Sequence, residues 1–373
     1  MLTLAACGGA DGLNGGGDGG FVGGARDGGF ARSDSGGQLV AYVSGYGPNI
    51  GWYSVDEQSG ALGSKGSIKS IGNSPSFLAW NRSGTNLYAL DEATAGRVAA
   101  YAIDSKTGAL TYVNDVSSKG NGPAHLSVDA TGKWVFVANY GDGTVAVLPV
   151  TATGSLADAT DTKSPGANAH MIIADPSNKF VFVPCKGADV VAQYVFDATK
   201  GTLTPNAVPS MATAKGAGPR HLAFHPNGKW AYLIAENASS VSTLSFDATL
   251  GHLAIIDTVS TLPSGFSGSN TGAEIHVHST GNFVLASNRG DDSIAVFSVD
   301  PTSGKLTMLG TTKTGGKTPR AFDLTPGNAL LYAANQAGSV TALRLDAKGA
   351  LTSASTPLMV QAPSFVGVLR LTP

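Results

Sequence analysis

The chain has 373 residues, of which 13% are charged and 50 are glycine, with 24 basic residues against 26 acidic ones. Charge this sparse excludes a helical bundle or coiled coil, whose faces need long charged runs, and leaves no electrostatic footprint for nucleic acid or an anionic membrane. Glycine at about twice its usual share points instead to a turn-rich β protein.

In chain order, residues 1–37 come first. Cys7 follows Leu4-Ala5-Ala6, which resembles the end of a bacterial lipoprotein signal, where a cysteine after small residues is lipidated. Met1–Ala6 lacks the basic start and long apolar run of a full signal. Gly8 to Gly37 holds 14 glycines in 30 residues and no apolar periodicity. It is predicted to be a disordered tether. The resemblance implies a lipid anchor at Cys7 and a place in the bacterial cell envelope; without a signal the expected place is the cytoplasm. No apolar run is long enough for a transmembrane helix. The two cysteines, Cys7 and Cys185, do not make a disulfide scaffold.

Residues 38–373 carry internal repeats. Units starting near Pro75, Pro123, Asn168, Pro219, Ala273 and Pro319 are spaced 48, 45, 51, 54 and 46 residues apart. Each reads as a short apolar strand (His221 to Phe224), a turn (Pro226-Asn227-Gly228) and a second strand (Trp230 to Ala235). A third strand (Val241 to Phe246), an Asp-x-x-x-Gly turn and a weaker fourth strand follow. Four strands in about 48 residues is a β-propeller blade. Leu39 to Leu62 has the later strands of a unit without a first one, and Ser364 to Leu371 is a lone first strand. The fold class is therefore all-β: one seven-bladed propeller of four antiparallel strands per blade. The seventh blade is closed by both chain ends, which removes free sheet edges. Trp52, Trp80, Trp134 and Trp230 are expected mostly at equivalent strand places, as packing between blades. A monomer is expected.

The first strand of a blade lines the central channel, and the second runs back antiparallel. First-strand starts and second-strand ends therefore share one face of the disc. The starts supply His125, His170, Arg220, His221, Glu274, His276 and Arg320. The second-strand ends supply Glu92, Asn139, Tyr140, Cys185, Lys186, Glu236, Asn237, Asn288, Arg289, Asn335 and Gln336. Asparagines there are ordinary turn formers. Arg220, Glu236, His170 and Arg289 are not explained that way and mark a site at one mouth. The loop Pro263 to Gly272 enters the same mouth as a linker. His276 and His278 share a strand face, but no third metal ligand is evident, and neither a metal nor a cofactor is expected.

Several segments resemble the seven-bladed lactonase family that includes bacterial 6-phosphogluconolactonase and fungal carboxymuconate lactonizing enzyme. They are VFVANYGDGTV (Val135 to Val145), GPRHLAFHPNGK (Gly218 to Lys229), AEIHV (Ala273 to Val277) and SNRGDDSIAVF (Ser287 to Phe297). The resemblance runs from about Leu39 to Leu371. It implies a channel-mouth set of His170, Arg220, Glu236 and Arg289 as catalytic residues. His125, Asn139, His221, Glu274, His276 and Arg320 are then expected around the substrate. The chain departs from the pattern at Cys185, where the family usually has aspartate, and at Ala321, where asparagine usually follows the arginine.

Lactone hydrolysis needs a base to activate water and a cation to hold the oxyanion. Glu236 or His170 can be the base, and a histidine's ordinary pKa favours His170. Arg220 and Arg289 can clamp a carboxylate, a phosphate or the oxyanion. No G-x-S-x-G elbow, C-x-x-C, H-E-x-x-H or phosphate loop offers another chemistry. The expected partner is a small-molecule lactone. The second reading is a non-catalytic, envelope-tethered propeller that binds a ligand or protein through the same mouth.

Overall fold

The structure is a computed structural model and describes residues 37–372. Cys7 and the expected tether, apart from Gly37, lie outside them. Two local devices turn the sequence into strands. Between first and second strands a short side chain caps the turn: Asp129 Oδ1 accepts the N–H groups of Lys133 (2.8 Å) and Trp134 (2.9 Å). Asp175 does the same for Lys179 and Phe180. Between third and fourth strands the Asp-x-x-x-Gly turn closes on a glycine with positive φ, as at Asp197–Gly201 and Asp300–Gly304. Only glycine adopts that conformation without strain.

These turns set out seven antiparallel sheets, each ordered from the channel outward. The inner strands of blades one to six are Leu78–Trp80, Pro123–Val128, Ile173–Ala174, Pro219–Phe224, Thr271–Val277 and Pro319–Leu324. The seventh blade pairs the C-terminal strand Pro363–Arg370 with Leu39–Gly45, then Asn49–Val55 and Leu62–Lys69. The closure expected from the two chain ends is therefore present. Blade three has the shortest inner strand: Pro184, opposite it, has no N–H to give the ladder. In blade six the outer strand is broken into Leu351–Ser353 and Leu358–Met359.

Apolar side chains fill the space between blades, and tyrosines fasten it. Tyr42, Tyr232 and Tyr332 are fully buried and donate to the carbonyls of Gly108, Gly304 and Gly60 in the neighbouring blade at 2.8, 2.9 and 3.0 Å. Trp134 and Trp230 begin second strands and lie against Gly201 and Gly304 of the next blade. The other two tryptophans are placed differently: Trp80 ends an inner strand and Trp52 sits on a third strand.

Gly201 has φ +66°, and a Cβ there would run into the Trp134 ring. Gly201→Ala should therefore cost about 2–4 kcal/mol, combining left-handed strain with overpacking. Gly228, with φ +69° and open space around it, should lose only about 1 kcal/mol on the same change. Denaturant unfolding of both variants checks the difference.

Candidate active site

Inner strands do not run straight into the mouth. In blades two, four, five, six and seven the register shifts at the first residues of the inner strand. Pro219 pairs Ala235 and His221 pairs Ile234, so Arg220 is the extra residue of a β-bulge. Arg320 is the extra residue in blade six. A bulge re-aims a side chain, and here it points arginines into the mouth. Glu236 is the residue just past the Pro219–Ala235 pair, which explains its spacing from Arg220.

Four predicted residues from blades three, four and five meet on one carboxylate. Glu236 Oε2 accepts from Arg220 Nε at 3.0 Å and lies 3.0 Å from Arg289 Nη2. His170 Nε2 stands 3.9 Å from the same oxygen. Lys186 Nζ takes the other oxygen, Oε1, at 2.7 Å. The sequence reading gave Lys186 no role; its one signal was its place at a second-strand end. Arg220 Nη1 also donates to the Ala273 carbonyl at 2.6 Å, and Arg289 Nη2 to that of Gly272 at 3.0 Å. Arg289 Nε, though buried, finds no acceptor among the described residues.

These contacts decide the protonation states. Burial would raise the Glu236 carboxyl, but Arg220, Arg289 and Lys186 outweigh it and hold the group at about 2. Burial, with Arg289 and Arg320 nearby, brings Arg220 down to about 10, which leaves it charged. Burial first, then Arg220, holds His170 well below the ordinary histidine value. Glu236 is thus a weak base whose contacts fix two guanidiniums, while His170 is a neutral imidazole next to them. Its ring meets Tyr140 and His221 edge-on, with centroids 5.4 and 5.2 Å away.

The other predicted residues divide. Arg320 faces the mouth, its guanidinium 5.5 Å from the centre of the Tyr46 ring. His125, His221 and Glu274 are buried in the channel. His221 Nδ1 lies 2.8 Å from Glu274 Oε1, and the His125 ring packs on Phe77 and His221. Burial is the main cause that brings His125 down to about 3 and His221 well below its ordinary value. His276 packs on Phe322, whereas His278 turns to the Thr280 hydroxyl at 2.8 Å. Asn139 is a correction. It is fully buried and donates to the Ser118 carbonyl (2.9 Å) and to Thr144 Oγ1 (3.2 Å), so it pins the linker between blades one and two and does not face substrate. Asn288 likewise donates to the Thr261 carbonyl of a later linker at 2.8 Å, and Asn335 accepts from the Thr314 hydroxyl of the next at 2.7 Å. Cys185 is buried at the end of its strand, and burial pushes its thiol up to about 12.

Fold and mouth together define a seven-bladed propeller in which three adjacent blades hold a neutral imidazole beside two arginines bridged by one glutamate. The chain belongs to the lactonase family of seven-bladed β-propellers, whose profile matches residues 39–368. It is 35% identical over 345 residues to a 6-phosphogluconolactonase of Bacillus subtilis, covering 90% of this chain and 98% of that one. A 6-phosphogluconolactonase of Pectobacterium carotovorum is 33% identical over 245 residues, which is 65% of this chain and 73% of that one. Among solved structures, a periplasmic gluconolactonase of Pseudomonas aeruginosa superimposes with a TM-score of 0.85 at 28% identity, covering 90% of this chain and 100% of that one.

Proposed function

We propose that the protein is a lactone hydrolase that directs water onto a sugar lactone carbonyl at this mouth. The observation that carries the reading is the meeting of His170, Arg220 and Arg289 around Glu236. Family membership and the lactonase names of the relatives support it. In the reaction, the water oxygen adds to the carbonyl carbon while its proton passes to His170. The charge that develops on the carbonyl oxygen falls to the Arg289 guanidinium, with Arg220 behind it. The ring C–O bond then breaks, and the ring oxygen takes the proton back from His170 to leave a hydroxy acid. Glu236, at about 2, stays ionised and keeps both guanidiniums in place.

The sequence Leu4-Ala5-Ala6-Cys7 and the likeness to a periplasmic enzyme support an envelope location, where an unphosphorylated lactone is the substrate at hand. The test is hydrolysis of glucono-δ-lactone and its 6-phosphate by the full chain, with the spontaneous rate subtracted, from pH 5 to 7.5. Acceleration on the unphosphorylated lactone at least equal to that on the phosphate is expected. The acid limb of kcat/KM should lie below pH 6.5. The lowered pKa keeps the base neutral there, and activity is lost only as pH falls through that lowered value. No acceleration on either lactone contradicts the hydrolase reading, and a limb at 6.5 or above contradicts His170 as the base.

A further inference from the structure

The Glu236 cluster occupies the arc of blades three to five, while blades six, seven and one supply the facing arc. Tyr46 lies in the loop after Leu39–Gly45, held by its N–H on the Ala362 carbonyl at 3.0 Å. Glu92 directly follows the second strand of blade one, Asn86–Asp91, its N–H on the Ser74 carbonyl at 2.9 Å. The Tyr46 hydroxyl donates to Glu92 Oε2 at 3.1 Å, and the Arg320 guanidinium covers the face of the same ring. The two arcs share one field: Arg320 depresses the basicity of Arg220, Arg289 and His170, and Arg220 acts on Tyr46. Burial is the main cause that pushes the phenol up to about 12, so it remains a donor to Glu92 at every working pH.

We propose that Glu92, oriented by Tyr46 beneath Arg320, reads the hydroxyl groups of the lactone ring, so that this arc selects polyhydroxylated lactones over bare ones. The inference rests on the lactone-hydrolase reading and assigns specificity within it. An ionised carboxylate only accepts hydrogen bonds, at about four lone-pair sites. Tyr46 fills one of these and fixes the orientation of the others. A carboxylate on this arc disfavours an anionic group beside it and attracts hydroxyls. Arg320 stacks on Tyr46 and keeps the phenol from swinging away. The catalytic arc therefore takes the carbonyl end of the ring and the facing arc takes its hydroxylated edge.

The test compares glucono-δ-lactone with δ-valerolactone, the same six-membered ring without hydroxyls, using the full chain, Glu92→Gln and Tyr46→Phe. Glu92→Gln should lower the ratio of kcat/KM for the two lactones at least tenfold, as expected for a lost charged hydrogen bond. Tyr46→Phe should move the ratio the same way by a smaller factor. An unchanged ratio in Glu92→Gln, or equal losses on both lactones, overturns the assignment. If the wild type accelerates neither lactone, the hydrolase reading fails, and calorimetry with gluconate decides the subsite by itself. A Kd raised tenfold or more in Glu92→Gln upholds it, and an unchanged Kd overturns it.

Discussion

Arg289→Ala should lower kcat/KM for glucono-δ-lactone by about 10²–10³, the usual loss when one oxyanion donor is removed. The argument begins with what each arginine touches. Arg220 is 2% exposed and bonds both Glu236 and the Ala273 carbonyl. Its removal would leave two buried acceptors short, so activity and folding would fall together. The Arg289 side chain is 12% exposed and shares Glu236 with two other cations. After its loss Glu236 still has Arg220 and Lys186, but the Gly272 carbonyl loses its donor and a largely buried side chain is removed, so stability should fall by about 1–3 kcal/mol without loss of the fold. Arg289→Lys keeps the charge but not the guanidinium fork, and should recover only part of the rate. Kinetics together with thermal unfolding of the three proteins separate the two effects. A variant that keeps wild-type kcat/KM would remove Arg289 from the reaction.

The second large effect concerns the ring. Deleting residues 363–373 should abolish the cooperative unfolding transition and leave the protein aggregated. That strand is buried along its whole length and pairs with Leu39–Gly45. It also ties to both neighbouring blades: the Val368 N–H donates to Asp323 Oδ2 at 2.8 Å and Ser364 Oγ to the Ser76 carbonyl at 2.8 Å. Phe365, Val366, Val368, Leu369 and Leu371 are each at most 5% exposed. Five such side chains contribute roughly 7–15 kcal/mol, about the whole stability of a typical domain. The deletion would also uncover an open edge on Leu39–Gly45, which invites pairing between molecules. Circular dichroism melts and sedimentation of the truncated chain check this. A soluble protein with a sharp transition would mean that the ring closes without its C-terminal strand.

Much of this architecture was legible because the blade grammar is local. The Asp-x-x-x-Gly turns and the capped first turns depend on residues only a few positions apart, so each repeat reads the same way wherever it stands. Arg220 and Glu236 were legible for a related reason: antiparallel pairing puts them at one end of a hairpin whatever the rest of the ring does. Other features depend on neighbours that a single repeat does not contain. Asn139 and Arg289 both stand at second-strand ends, but Asn139 is turned into a linker by Ser118 and Thr144. Lys186 owes its place to the shared carboxylate of the next blade. Tyr46 lies in a loop with no repeat signature and gains its setting from blades one and six. The short inner strand of blade three follows from Pro184, whose effect appears only once its pairing partner is known.

The most direct test of the account is a crystal structure of the full chain soaked with gluconate, the product of the proposed reaction. The carboxylate should lie within hydrogen-bond distance of the Arg289 guanidinium, on the side of His170 Nε2. Gluconate bound only at the opposite end of the channel, or away from Arg289 and His170, would contradict it.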